Sequence, residues 1–287
     1  MTLEKKQKKN AVRILADSTC DFSPEEAERS GVTIMPMNVV LDNKIYRQNI
    51  DITATEFYEK MASSETSPIT AGLTIYDLEN AYREATQDGS EVVAIILSSV
   101  LSGTYQSAVL MSHEVNGVYV VDSLNATFGK ALLVREAVKL RDAGMSASEI
   151  AEKITALTKR VRLFAYVATL KYLVRGGRVS AVAGAIGGVL NICPLISVQD
   201  GAVINIGKAR GKNLACKEIT RLVEKSNIDK DYDVVFGYSI DETGLSALKE
   251  NVSGLIKGCN TSDYEIGPII GAHVGPGAVG LAFIAKE

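Results

Sequence analysis

Short apolar runs alternate along most of the chain with stretches in which apolar residues recur every three or four positions. The first pattern predicts strands buried on both faces and the second predicts helices packed on one side. Val12 to Ala16 reads as a strand that ends in Asp17-Ser18-Thr19-Cys20-Asp21, and Ser23-Pro24-Glu25-Glu26 then carries the hydroxyl cap, first-turn proline and N3 glutamate of a capping box. Val32 to Leu41 predicts a second strand, and helical spacing follows at Thr53 to Ser63 and Ile75 to Thr86, with a polar loop from Thr66 to Thr74 between them. Next come a strand at Val92 to Leu97, a helix at Thr104 to Val115, a strand at Gly117 to Val121 ending in Asp122-Ser123, and helices near Ala126 to Ala143 and Ala147 to Lys159. This alternation predicts a mainly parallel sheet with ligand loops at the C-terminal ends of its strands.

A strand at Leu163 to Thr169 opens a second unit, which divides the chain into expected domains at residues 1–160 and 161–287. A hairpin around Asp200-Gly201, a helix from Asn213 to Lys225, a strand at Val234 to Tyr238, a helix from Thr243 to Ile256 and a glycine-rich terminal region complete it. The expected fold class is α/β, with a mainly parallel sheet in the N-terminal domain and a mixed sheet in the C-terminal one. Val179 to Gln199 and Ile266 to Ala285 carry no Asp, Glu, Lys or Arg. Pro194 with Gly184, Gly187 and Gly188 interrupts the first, and Pro268, Pro276 and five glycines interrupt the second, so neither predicts a membrane span.

The 287 residues suffice for two domains with a sizeable apolar core, and a net charge of −3 argues against a nucleic-acid partner. Lys5, Lys6, Lys8 and Lys9 form the one basic cluster; with no apolar run behind it, it reads as a solvated arm rather than a secretory signal. The four cysteines lack a CxxC pair and only two histidines accompany them, so no metal site is expected and the thiols read as reduced in a cytoplasmic protein.

The candidate chemistry centres on Leu97-Ser98-Ser99-Val100-Leu101-Ser102-Gly103-Thr104, which leads from a buried strand into a helix. Unpaired amides in the first helical turn, together with the positive end of the helix dipole, favour an anion. The loop holds no lysine, so the GxxxxGK[ST] pattern is absent, no nucleotide cofactor is expected, and a carboxylate suits it better than a triphosphate. An ordinary serine cap explains Ser102 and Gly103 equally well, but Ser98, Ser99 and Thr104 add more hydroxyls than a cap requires. Asp17 and Asp21 read either as turn and cap residues or as a pair that binds a cation or orients hydroxyls. Thr70 and Thr74 read by default as turn residues; Arg175, Arg178, Lys208 and Arg210 read as surface charges, although the glycines of Arg175-Gly-Gly-Arg178 permit close approach to a bound oxygen. His273 stands in a glycine-bounded, flexible-looking loop that displays its imidazole, without an identifiable nucleophile.

Six segments in order, Asp17-Ser-Thr-Cys-Asp21, Ser98 to Ala108, Val121-Asp-Ser123, Leu170 to Arg178, Lys208-Ala-Arg210 and His273-Val-Gly-Pro-Gly-Ala278, together resemble the DegV family, bacterial fatty-acid-binding proteins that present fatty acids to a fatty acid kinase. The resemblance spans nearly the whole chain. It implies two α/β domains with a ligand tunnel for a long-chain fatty acid that ends near the domain junction. It also implies a carboxylate held by Thr70, Ser102, Gly103 and His273, with no catalysis by this chain itself. Asp17, Ser18, Ser98, Ser99, Arg178 and Arg210 are the implied supporting or kinase-step residues, and the acyl phosphate formed would feed phospholipid synthesis. Where the family commonly reads Pro-x-Thr-Ser-x-Pro-Ser, this chain has Pro68-Ile-Thr-Ala-Gly-Leu-Thr74, which leaves Thr74 as an alternative to Thr70. Two rival readings remain at this point. One is an enzyme acting on a small carboxylated or phosphorylated metabolite with His273 as acid or base and arginines as clamps; the other is a regulatory protein with a vestigial pocket.

Overall fold

The computed structural model describes residues 11–179 and 191–287. The basic cluster at Lys5 to Lys9 and the glycines Gly184, Gly187 and Gly188 lie outside the described residues. β1 (Val12–Asp17) runs into a 3-10 turn at Ser18–Cys20, followed by α1 (Pro24–Ser30), β2 (Val32–Met35), β3 (Asn38–Leu41), β4 (Lys44–Arg47), α2 (Ala54–Ser63), β5 (Ile69–Ala71) and α3 (Ile75–Thr86). Then come β6 (Glu91–Ile96), α4 (Thr104–Ser112), β7 (Val118–Asp122), α5 (Thr127–Asp142) and α6 (Ala147–Thr158). The remainder is β8 (Val161–Tyr166), α7 (Lys171–Arg175), β9 (Ile192–Gln199), β10 (Ala202–Arg210), α8 (Lys212–Ser226), β11 (Val234–Tyr238), α9 (Glu242–Val252), β12 (Thr261–Glu265), α10 (Pro268–Val274) and β13 (Val279–Ile284).

The expected α/β class and its two kinds of sheet are present. Four strands in the order β2-β1-β6-β7 pair in parallel throughout. Six strands in the order β10-β9-β8-β13-β11-β12 form a mixed sheet in which only β11 and β12 run parallel. Alternate residues of β6 enter different cores, Val93 and Ile95 one, Val92, Ala94 and Ile96 another, which explains its unbroken apolar run. The core between the two sheets also takes Leu163 and Ala165 of β8. α5 fills that space, touching β1 and β6 on one side and β8, β11 and β13 on the other.

Three expectations are corrected. Val32 to Leu41 is two strands, because Pro36 has no amide to donate, and β3 leaves for a third, antiparallel sheet of order β4-β3-β5. The loop from Thr66 to Thr74 contains the edge strand β5, in register with β3 from Val40 opposite Ile69 to Asn38 opposite Ala71. The segment around His273 is not a flexible loop but belongs to α10, and the glycine-rich terminal region goes on to supply the central strand β13. Among the described residues no helix is long and apolar enough to cross a membrane.

Beneath α5 lies an ion pair without solvent access. Lys130 Nζ stands 2.8 Å from Asp17 Oδ2, both side chains are wholly buried, and the ammonium also donates to Asp17 O at 2.8 Å. Asp17 Oδ2 accepts from Leu97 N at 2.7 Å, and Oδ1 accepts from the amide and hydroxyl of Thr19. Removing one partner strands the other charge in a dry core, which costs about 3–5 kcal/mol. Lys130→Met should therefore lower the urea-unfolding free energy by ~3–5 kcal/mol. A loss below ~1 kcal/mol, the range of exposed pairs, would show that the pair is not the anchor described.

Candidate functional site

A cavity of about 80 Å³ opens where the small antiparallel sheet, the start of α4, the end of α7 and α10 meet. Leu97, Leu101, Ala126, Leu173, Ile270 and Val274 make its walls apolar, and Thr70, Ser102, Arg178 and His273 are its hydrogen-bonding side chains. Gly72, Met37, Val203 and Ile269 complete the lining. The cleft of about 330 Å³ between β2 and α3 is larger, and there Arg13, Arg47, Asp77, Asn80 and Glu84 stand beside the apolar Ile34, Met35 and Leu73. Typical small-molecule pockets measure about 300–1,000 Å³. The described part of this space suits a head group and the start of an acyl chain.

Each polar group arrives by a different local logic. Alternation along β5 turns Thr70 away from the exposed Ile69 and Ala71 and into the cavity. Its hydroxyl lies 3.0 Å from His273 Nε2. Thr74, the alternative, caps α3 in a reciprocal box with Asp77 and does not line the cavity. Ser102 Oγ lies 2.9 Å from Thr104 Oγ1 and accepts from Thr104 N at 3.3 Å. Gly103 holds the N-cap position of α4 and supplies no side-chain acceptor, so the positive end of the helix stays uncapped from that position. Arg178 donates from Nε to Leu101 O at 3.2 Å and from Nη1 to Gly176 O at 2.6 Å, which ties the guanidinium to the serine-rich loop.

His273 corrects the displayed-loop expectation most sharply. It sits on α10, half-buried, with Nδ1 enclosed and without a hydrogen-bond partner. Burial, then the positive charges of Arg178 and Arg175, pushes its pKa down to about 4. A Cβ on Gly176 would stand 2.2 Å from Nδ1, so the first glycine of Arg-Gly-Gly-Arg makes room for the imidazole rather than for a bound oxygen.

The other sequence candidates are brought to the cavity's surroundings but not to its lining. Asp17 is neutralised by Lys130 and pins the start of the serine-rich loop through Leu97 N, so no cation is needed there. Among the described residues no group of three or more His, Cys, Asp or Glu could hold a metal ion. Ser18 Oγ accepts from Met37 N at 3.0 Å. Ser98 Oγ donates to Gly201 O at 2.8 Å and accepts from Val100 N, so it docks the β9–β10 turn. Ser99 is held through its amide by Asp122. The hydroxyl excess in that loop is thus largely structural. Arg210 is exposed at the end of β10, away from the lining. Leu173, Ile269, Ile270 and Val274 went unread as lining residues, because α7 and α10 are one or two turns long and carry no usable periodicity.

The family model for the DegV family, described as uncharacterised, matches residues 11–286. A DegV domain-containing protein of Clostridium acetobutylicum is 30% identical over 281 residues, covering 96% of this chain and 99% of its own. A solved DegV family protein of Thermus thermophilus, described as binding fatty acid, superposes with a TM-score of 0.88 at 31% identity over 96% of this chain and 100% of its own. A stearic acid-binding protein of Eubacterium ventriosum gives 0.86 at 30% identity, covering 96% and 98%.

The depressed pKa of His273 has a signed consequence. Between about pH 6.5 and 4 the folded chain binds fewer protons at this ring than the unfolded chain does, so the ring's contribution to stability is present above pH 6.5 and is lost as pH falls toward 4. NMR of the imidazoles, assigned with a His113→Gln control, should show His273 neutral at pH 5 with a midpoint near 4. A midpoint near 6.5 would mean that the ring is solvated and not packed as described.

Proposed function

The chain belongs to the DegV family, and from that premise we propose that it binds a long-chain fatty acid and presents the carboxylate to a separate fatty acid kinase. The observation that carries the reading is the convergence of Thr70, Ser102, Arg178 and His273, from four distant segments, on the lining of one cavity with apolar walls. Two hydroxyls and a guanidinium are donors, which a carboxylate needs, and the imidazole stays neutral at pH 7 as a hydrogen-bonding partner. Gly103, exposed at the start of α4 and outside the cavity lining, leaves the helix end beside Ser102 free of a side chain of its own. The fatty acids bound by the Thermus thermophilus and Eubacterium ventriosum proteins support the ligand class.

In this reading residues 1–160 form a domain that supplies Thr70 and the serine-rich loop, and residues 161–287 form one that supplies Arg178, Arg210 and His273. Burial is worth about 0.8 kcal/mol per methylene before association costs, whereas a hydrogen bond to a charged group contributes about 1.5–3 kcal/mol. The acyl chain therefore sets affinity, and the polar end sets which way round the ligand sits. Exposed Arg210 suits a contact with the kinase and its phosphoryl group better than a contact with the buried ligand. The kinase forms the acyl phosphate for phospholipid synthesis in the cytoplasm; this chain holds and shields the acid and performs no turnover alone.

Solvent extraction and mass spectrometry of the purified protein should reveal bound fatty acid. No lipid, together with no binding of added oleate or palmitate, would overturn the proposal, and turnover of a small acid without a partner would favour an enzyme using His273. Ser102→Ala and Thr70→Ala should each weaken binding about ten- to a hundred-fold, as loss of one charge-assisted hydrogen bond requires. Fluorescent fatty-acid displacement reads that change; parental affinity in both variants would remove the two hydroxyls from the site.

A further inference from the structure

The Asp17–Asp21 turn holds a second carboxyl that the head-group site leaves unused. Asp21 is 7% exposed, adopts a left-handed backbone (φ 56°), and accepts at Oδ1 from Gln48 Nε2 at 3.1 Å. The same amide nitrogen donates to Ser18 O at 2.9 Å, and Gln48 Oε1 accepts from Ile269 N at 3.4 Å. Gln48 is 1% exposed although it directly follows the exposed Arg47. Gly267, at the N-cap of α10, has no side chain to satisfy the first-turn amides, and Gln48 takes one of them, Ile269 N, from elsewhere in the chain. The fit is close: a Cβ on Gly267 would stand 2.3 Å from Gln48 Nε2 and 2.7 Å from Asp21 Oδ1. Tyr58 holds the preceding carbonyl, Ile266 O, at 2.9 Å. α10 then carries Ile269, Ile270 and His273 to the cavity.

We propose that Gln48 is a positioning residue: its side-chain amide keys the start of α10 to the Asp17–Asp21 turn and so sets His273 against Thr70. The functional part of this inference rests on the head-group reading above; the keying itself does not. A neutral amide is suited to the position. Burial pushes the Asp21 carboxyl up to about 7 despite the hydrogen bond from Gln48 and the attraction of Lys130, so Asp21 exchanges its proton near neutrality. Cys20 and Tyr58 also face it, and Glu26, Asp263 and Glu265 line the adjoining cleft. A lysine or arginine would match only the ionised form, and a glutamate would lack the donor.

The test uses the full chain as Gln48→Glu and Gln48→Met, with the parent as control at pH 6 and pH 8. The His273 ring signals are read in delipidated protein, and fluorescent fatty-acid binding is read separately. In Gln48→Glu the His273 signals should be displaced at pH 8, where two carboxylates oppose each other, and should return toward the parent at pH 6, where a shared proton restores a donor. Binding should fall at least five-fold at pH 8 and recover with the signals. Parental His273 signals in a folded Gln48→Glu at both pH values would overturn the keying, as would a displacement that is the same at both. Gln48→Met should show a displacement that pH does not reverse; if it fails to fold, Gln48→Glu decides alone. A parent that binds no fatty acid sinks the head-group reading, while the His273 comparison still decides the keying.

Discussion

A lysine ammonium and an aspartate carboxylate sealed from water cannot be parted without stranding a charge, and the arrangement around the cavity follows from that constraint. Lys130 reaches from α5 to the carboxyl-terminal end of β1, and Asp17 takes the amide of Leu97 just beyond β6. The two central strands of the parallel sheet and the helix packed on them are therefore locked where the serine-rich loop begins. Because α5 also packs on the mixed sheet, the same lock carries across the middle layer of the molecule. A hydrophobic contact alone would not fix register in this way, since apolar packing tolerates sliding that a hydrogen-bonded charge does not.

The second level of order is the interlocking of short motifs that lie far apart in the chain. Gly176 lies against the ring of His273, the β9–β10 turn is hydrogen-bonded to Ser98, and Gln48 caps the helix that follows Gly267. In each case a small residue or a buried polar side chain lets one backbone approach another closely. The consequence is a site whose four polar groups sit on elements that cannot move independently. In the proposed reading, such preorganisation would spare a carboxylate the cost of ordering its own partners.

Hydroxyl groups in the serine-rich loop illustrate how composition overstates chemistry. Ser98 and Thr104 satisfy internal partners, and Ser99 is held through its amide, which leaves Ser102 as the loop's hydroxyl at the cavity. Buried polar groups must be paired, so the buried Ser98 and Thr104 need such partners for folding before any ligand is considered.

The chain's own pattern determined the α/β class, the strand at Val234–Tyr238, the long helices, the serine cap and first-turn proline of α1, though not the reciprocal Glu26 bond expected there, and the hydroxyl-rich start of α4. These are local properties, set by periodicity over eight or more residues and by caps within one turn. The family resemblance marked Thr70, Ser102, Gly103 and His273 for the carboxylate, with Arg178 among the supporting residues. Tertiary structure alone decided that Thr70 lies on an edge strand facing inward, that Thr74 only caps a helix, that Asp17 is spent on Lys130, and that His273 is packed on a helix. It also decided that Gln48, featureless among exposed neighbours in the sequence, is wholly buried. Strands of three residues and helices of seven show no period, and the partner of a buried charge can stand 113 residues away. Such pairings follow from which layers the packed core brings together, a property no single stretch of sequence contains.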